Sequence, residues 1–386
     1  MKSTTLRWLP AAVVPVAVVA AAVAVPAWAA TPPQLPEKSA QEVLELIAAS
    51  SDTAYSGTVE QSSDLGIPEL PDVGQGGGSD AVGEALELLT GTNEARVYVG
   101  GADTSRIQLM ETLAERDVVR NGSSVWFYDS AENTAVHLTL PEVDPATLPP
   151  LPADADTPAE LAERLLEAVE PSTTVSVGDT ARVAGRDAYT VTLTPDSDST
   201  LVASASLSVD AETGLPLAAS VQSTADSDTD TPAFSVAFTD IDFSAPDAAL
   251  FEFAPPADAT VIDKSVDDAR AALGDAHADA PAVPAPATSP TLIGSGWDTI
   301  ISIPADAALA ADAAGDAAAT ESGESPAEAA DAAGNARALL DQLTTEVPEG
   351  RAFETTLVSV LVTTDGRVLA GAVPVEDLQA AAATTP

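Results

Sequence analysis

The chain has 386 residues, 60 of them acidic and 15 basic, with two histidines and no cysteine, for a formal net charge of −45. That charge excludes a nucleic-acid binder, because a phosphate backbone needs a basic surface, and it disfavours electrostatic docking onto anionic lipid. The missing cysteines exclude disulfides, thiolate nucleophiles and thiolate metal sites.

Residues 1–29 predict a signal peptide. Lys2 and Arg7 precede an apolar run over 9–25, and Ala27-Trp28-Ala29 fits a small-x-small cleavage rule. A retained anchor is the rival reading, set against a run that is mostly alanine and carries Pro10 and Pro15. Either way, the bulk of the chain is expected outside the cytoplasmic membrane. Ser39 followed by Glu42 then reads as a capping box, opening a helix with Val43, Leu44, Leu46 and Ile47 on one stripe and an end near Ser50. A strand over 56–61 comes next. Residues 62–92 read as an insertion, with a glycine-rich run at 74–78 and a short helix over 81–89.

Short runs at 94–99, 105–110, 116–120, 125–128 and 135–140 predict antiparallel strands separated by turn residues. Within them, Trp126, Phe127 and Tyr128 are adjacent, in a chain with four Trp, four Tyr and seven Phe. Strand alternation sends Trp126 and Tyr128 to one face and Val125 and Phe127 to the other, so both faces need cover. A Pro-rich connection over 141–156 leads to Thr157-Pro158-Ala159-Glu160, which opens a second helix striped by Leu161, Leu165, Leu166 and Val169.

Strands resume at 173–177, 181–183, 188–194, 201–209, 216–222 and 234–243, with Asp210–Gly214 as a hairpin turn. Residues 250–253 alternate like a strand at a sheet margin and stop at Pro255-Pro256. The Ala/Asp/Pro-rich stretch 264–290 reads as a linker and 305–334 as a disordered Ala/Asp/Glu loop, because neither buries enough apolar surface to offset its ordering entropy. A strand is expected within 291–304. Residues 335–386 predict a helix over 335–343 and a C-terminal hairpin, 352–363 and 367–373, turning at Asp365-Gly366. Two or three strands alone are marginal, so this hairpin is expected to extend the main sheet.

Little in the chain points to chemistry. His137 alternates with Val136 and Leu138 on a strand, His277 lies in the linker, and no histidine pair has metal-ligand spacing. Asp226, Asp228 and Asp230 alternate as in a calcium loop but lack its glycine and closing glutamate, and read as a solvated turn. No serine sits in Gly-x-Ser-x-Gly, and no glycine loop is followed by a phosphate-binding lysine. The expectation is a protein that is not an enzyme, with no cofactor and no metal.

The remaining signal is shape. The pattern predicts an α+β fold, mainly antiparallel β: an unclosed half-barrel with two helices over its concave face, spanning 37–263. Candidate ligand-binding residues on that face are Val97, Val99, Ile107, Leu109, Val125, Phe127, Val136, Leu138, Tyr189, Val191 and Leu193. The competing reading is that they pack on the helices as core, and a one-residue slip in any strand would invert its set.

Four weak motifs in order carry a resemblance. Asn121-Gly122-Ser123-Ser124-Val125-Trp126-Phe127-Tyr128-Asp129 resembles the "dG-x-x-lW-x-Yd" hairpin strand of the LolA-like lipoprotein-carrier superfamily. Ser105-Arg106-Ile107 lies where that family has its "fRw"-type strand. Val209–Pro216 is similar to its "vD-x-x-tglP" hairpin, and Phe251–Pro256 with Val261 to its "lFxFxpPxgaxV" ending. Ser56–Gln61 resembles the opening strand of both the carrier and the RseB-like branches. The resemblance covers roughly 39–262 and implies an apolar cavity for lipid or for a lipoprotein's acyl chains. The RseB-like branch implies instead a sensor that binds an anti-sigma factor or another membrane-anchored partner protein. It further implies a cavity arginine near Arg96 or Arg106.

Overall fold

The computed structural model describes residues 35–67, 91–110, 114–140, 166, 170–178, 180–225, 231–265, 291–304 and 344–384. The signal segment, the predicted helices over 81–89 and 335–343, the loop 305–334, and all of the predicted helix over 157–169 but Leu166 lie outside them.

Helix α1, Ala40–Ala49, begins as its sequence dictates. Ser39 Oγ accepts from the Glu42 N–H, and Glu42 Oε2 accepts from the Ser39 N–H at 2.8 Å, so two otherwise orphaned donors are satisfied reciprocally. The strands that follow are β1 (Tyr55–Ser63), β2 (Gly91–Gly101), β3 (Thr104–Met110), β4 (Glu115–Asn121), β5 (Ser124–Asp129) and β6 (Thr134–Thr139). Then come β7 (Thr173–Val177), β8 (Ala181–Val183), β9 (Arg186–Pro195), β10 (Val202–Asp210), β11 (Pro216–Ser223), β12 (Phe234–Asp242) and β13 (Thr260–Ser265).

These 13 strands form one sheet in the order β13-β6-β5-β4-β3-β2-β1-β12-β11-β10-β9-β7, with β8 paired to β9. Every pairing in it is antiparallel except β13 with β6. The path runs from one edge strand to another without joining its ends, so the sheet is unclosed. It bends: the Arg186 guanidinium of β9 lies 5.0 Å from the Phe243 ring just past β12, three strands away. A bulge between Thr58 and Val59 sharpens that bend. At Gly57 any Cβ would collide with the Asp240 carbonyl and the Phe238 ring, so glycine admits this close approach of β12.

Residues 250–253 do not form the expected strand. Ala248–Phe251 is a single 3-10 turn capped by Asp247, and the chain then continues as an irregular strap that turns at 257–258 before entering β13. Prolines cannot donate to a ladder. The strap is fastened by side chains: Arg106 donates to the Leu250 carbonyl, Asn121 to that of Phe251 and Asn133 to that of Asp258.

The C-terminal strands also depart from expectation. They do not extend the main sheet. Strands β14 (Thr291–Ile293), β15 (Ile300–Ile303), β16 (Thr345–Val347), β17 (Gly350–Glu354), β18 (Ser359–Thr363) and β19 (Val368–Gly371) make a second sheet, ordered β14-β15-β19-β18-β17-β16. The predicted long strand over 352–363 is two, turned at Thr355, whose N–H donates to the Val358 carbonyl. Helix α2, Val375–Thr384, gives this sheet its own core, burying Leu378, Ala381 and Ala382 against Leu361 and Leu369. Its signals are Pro374 before the first turn and Glu376 and Asp377 within it. The expected marginality of a few strands is thus answered by a helix, while β13 already fills the edge beyond β6. The two sheets meet through Thr200, which donates to the Ala372 carbonyl at 2.8 Å, and Ser223, which donates to that of Thr356 at 2.8 Å. Trp297 Nε1 donates to Thr173 Oγ1 at 2.7 Å beside the buried Val202, Ala233 and Leu357.

Candidate functional site

Register decides which side chains share a face. Val97, Ile107, Val118, Phe127, Val136 and Ile262 are successive cross-strand partners from β2 to β13. On the same face, Val99, Val125 and Leu138 lie along one flank, and Ala95 and Leu109 along the other. Through β1 and β12 the face continues as Val59 opposite Phe238, then Val236, Ala219, Leu207 and Val191. Tyr189 pairs with Val209, and Leu193 with Ala205 and Val175. All eleven candidates therefore lie on one continuous face, and the strand phases read from alternation hold.

Burial divides that face. Val97, Ile107, Val125, Phe127 and Val136 are at most 8% exposed and pack together, with Val99, Leu109 and Leu138 half-buried at their margin. Tyr189 and Val191 belong to a second cluster, closed by Val43, Leu46 and Ile47 of α1. Leu193 is half-buried beyond it. The contacts are those of a packed core.

Neither arginine suggested by the resemblance is on this face. Arg106 lies on the other side, forked onto the buried Asp117 with Nε–Oδ1 at 3.1 Å and Nη2–Oδ2 at 2.7 Å. Arg96, paired with Gln108, shares that side and is exposed. On the apolar face beside Phe127 lie Arg116 and Arg120, two residues either side of Val118. Arg116 pairs with the buried Asp129 at 3.3 Å, and Asp129 also accepts the Ala131 and Glu132 N–H groups. Their parity with Val118 is the sequence signal that identifies them.

The opposite face carries an aromatic shelf. Trp126 stacks on the His137 ring at 4.4 Å between centroids, and Phe253 of the strap lies 5.4 Å from Trp126 and 5.7 Å from Tyr128. The strap thus supplies the cover that the paired aromatics demanded. His137 Nε2 is 2.9 Å from Ser124 Oγ, and His137 Nδ1 is 3.0 Å from Asp263 Oδ1.

A polar network ties the β10–β11 turn to β9. Arg186 forks onto Asp210, with Nε–Oδ2 at 2.7 Å and Nη2–Oδ1 at 3.0 Å, and also reaches Glu212. Burial pushes the Asp210 carboxyl up, but Arg186 and the Thr213 and Glu212 donors outweigh it and hold the group below the usual carboxylate range. The bond to Asp210 likewise holds Arg186 protonated more firmly than usual. Gly214 closes the turn at φ +76°, where a Cβ would strike the Leu46 carbonyl of α1. Among the described residues no group of His, Asp or Glu is placed to hold a metal ion, and no helix is long and apolar enough to cross a membrane.

No family model matches the chain, and no curated protein matches it. Several solved structures are similar. The complex of Pseudomonas aeruginosa MucA and MucB matches over 89% of this chain and 96% of that one, with 14% identity and a TM-score of 0.41. A LolA superfamily protein of Nitrosomonas europaea matches over 56% and 99%, with 11% identity and a TM-score of 0.24. An outer-membrane lipoprotein-sorting protein domain of Vibrio parahaemolyticus, named as such provisionally, matches over 55% and 97%, with 10% identity and a TM-score of 0.22. At such scores these likenesses add no weight to the site, which stands on its own register and contacts.

Proposed function

We propose that this chain is an extracytoplasmic binding protein that holds a lipid, or the acyl chains of a lipoprotein, along the apolar face of its unclosed sheet. The observation that carries this reading is the continuity of that face across the sheet, from Val136 to Val191. Its half-buried margin of Val99, Leu109 and Leu138 offers an entering chain its first contacts, and Arg116 beside Asp129 offers a polar end. A buried methylene contributes about 0.8 kcal/mol, so a sixteen-carbon chain gains on the order of 10 kcal/mol, enough to compete with packed side chains. Entry requires the packed residues to part, and α1, held to the sheet by one small cluster, is the element that moves. The work of this face is to hold its cargo, with no catalysis, cofactor or metal there.

The test is mass spectrometry of organic extracts from the purified protein. Acyl lipid near one equivalent is expected, lost in the half-buried margin variant Val99→Asp with secretion intact. An extract without lipid, or unchanged lipid in a folded Val99→Asp protein, overturns the reading.

A second reading, a sensor that docks a membrane-anchored partner protein, is favoured by the second sheet. Leu292, Ile301 and Val362 are 67%, 43% and 43% exposed on its face away from α2. Exposed apolar groups clustered on one face mark interaction surfaces. An extract without lipid, together with a partner protein lost on Ile301→Asp, selects this reading.

A further inference from the structure

Beyond its apolar face, the molecule brings a serine, a histidine and an aspartate together on the opposite one. We propose that Ser124, His137 and Asp263 form a nucleophilic site that accepts acyl groups from neutral, apolar esters and releases them to water. The inference goes beyond the binding reading and runs against the expectation of a chain without catalysis.

The geometry is that of an activated hydroxyl. Ser124 Oγ lies 2.9 Å from His137 Nε2, and His137 Nδ1 lies 3.0 Å from Asp263 Oδ1. An aspartate on Nδ1, here with its side chain 79% exposed, favours the tautomer that carries its proton there and leaves Nε2 to accept from the serine. Three strands impose this order: Ser124 begins β5, His137 faces Trp126 from β6, and Asp263 is the register partner of His137 on β13. Trp126, stacked on the imidazole with 16° between planes, holds the ring in this orientation.

The surroundings select the substrate. The shelf of Trp126, Tyr128 and Phe253 adjoins the serine and offers apolar area to an acyl or aryl group. A chain carrying −45 charges repels anionic substrates, and the apolar shelf favours neutral esters. Asn121 and Thr139 are the cross-strand partners of Ser124 on the same face, and each side chain is a donor for an oxygen that develops charge there. The Asn121 amide is only loosely engaged, 3.4 Å from the Phe251 carbonyl.

The step balances without a co-reactant other than water. Ser124 Oγ bonds to the ester carbonyl carbon as its proton passes to His137 Nε2. The carbon–oxygen bond to the alcohol breaks, and the alcohol leaves with that proton. Water then gives its proton to Nε2 and its oxygen to the acyl carbon, and the carboxylic acid departs as Ser124 regains its hydrogen. The competing account is that the three groups only bolt β13 and the strap to the sheet.

The full chain, treated with a fluorophosphonate and read by intact mass and peptide mapping, tests this directly. One adduct on Ser124 is expected, absent in Ser124→Ala and unaffected in Ser123→Ala. Hydrolysis of p-nitrophenyl butyrate is expected to fall on the order of a hundredfold in Ser124→Ala and in Asp263→Asn, with recovery in Asp263→Glu. A bolt alone would change melting in Asp263→Asn without any adduct or rate to lose. No adduct on the wild-type protein, or the same adducts in Ser124→Ala as in wild type, overturns the proposal.

Discussion

The thirteen-stranded and six-stranded sheets treat their two faces differently. Over β3–β6 the large sheet is covered on both sides: Phe127 and its neighbours are packed on one, and the strap with Phe253 lies over the other. The small sheet has α2 on one face, while Leu292, Ile301 and Val362 stay open on the other. Cover on both sides lets the large sheet place bulky groups on alternate residues without exposing them. Cover on one side leaves the small sheet with apolar area still to be buried by something else.

The difference can be broken most severely in the large sheet. Phe127→Ala removes a side chain 5% exposed from the centre of its packed face and should destabilise it by about 3–5 kcal/mol, read as a lower denaturation midpoint. Leu361→Ala, fully buried beneath α2, should cost about 2–5 kcal/mol. If the sheets unfold as separate units, calorimetry will show this loss in one of two transitions. If both sheets lose stability in a single transition, the joint at Thr200 and Trp297 couples them.

Acid probes the polar ties of the large sheet. The Asp210 carboxyl sits below its unfolded value of about 3.9, so its contribution is complete above that pH and is lost as pH falls through the lower folded value. Asp210→Asn, at a side chain 1% exposed, should cost about 2 kcal/mol near neutrality and less in acid, so the two melting curves converge as pH drops. Ser39→Ala removes the α1 cap and should cost about 1 kcal/mol, with the loss confined to the cluster around Val43 in hydrogen exchange. The smallest change is expected on the open face of the small sheet. Ile301→Ser should alter stability by no more than about 0.5 kcal/mol. A larger loss would show that this face is not free.

Much of the large sheet was legible because its signals are local. The Ser39–Glu42 box marks its own helix, and the alternation in Val125–Tyr128 assigns each side chain to a face whatever the strand's neighbours. Strand phase placed all eleven candidates on one side. The small sheet was misread because its stability comes from α2, whose alanines carry no periodic stripe strong enough to announce a core. The segment 250–253 was misread as a strand because alternation cannot tell a strand from a strap that lays Phe253 on an aromatic shelf.

By itself, the sequence determined the charge, the exclusion of thiol chemistry, the cap of α1 and the in–out pattern of the strands, all set by composition or by neighbours a few residues away. Only the tertiary structure decided that the last strands form their own sheet and that Ser124, His137 and Asp263 meet. His137 is 13 residues from Ser124 and 126 from Asp263, and contacts at such separations exist only once register has been fixed by strands that lie beside one another.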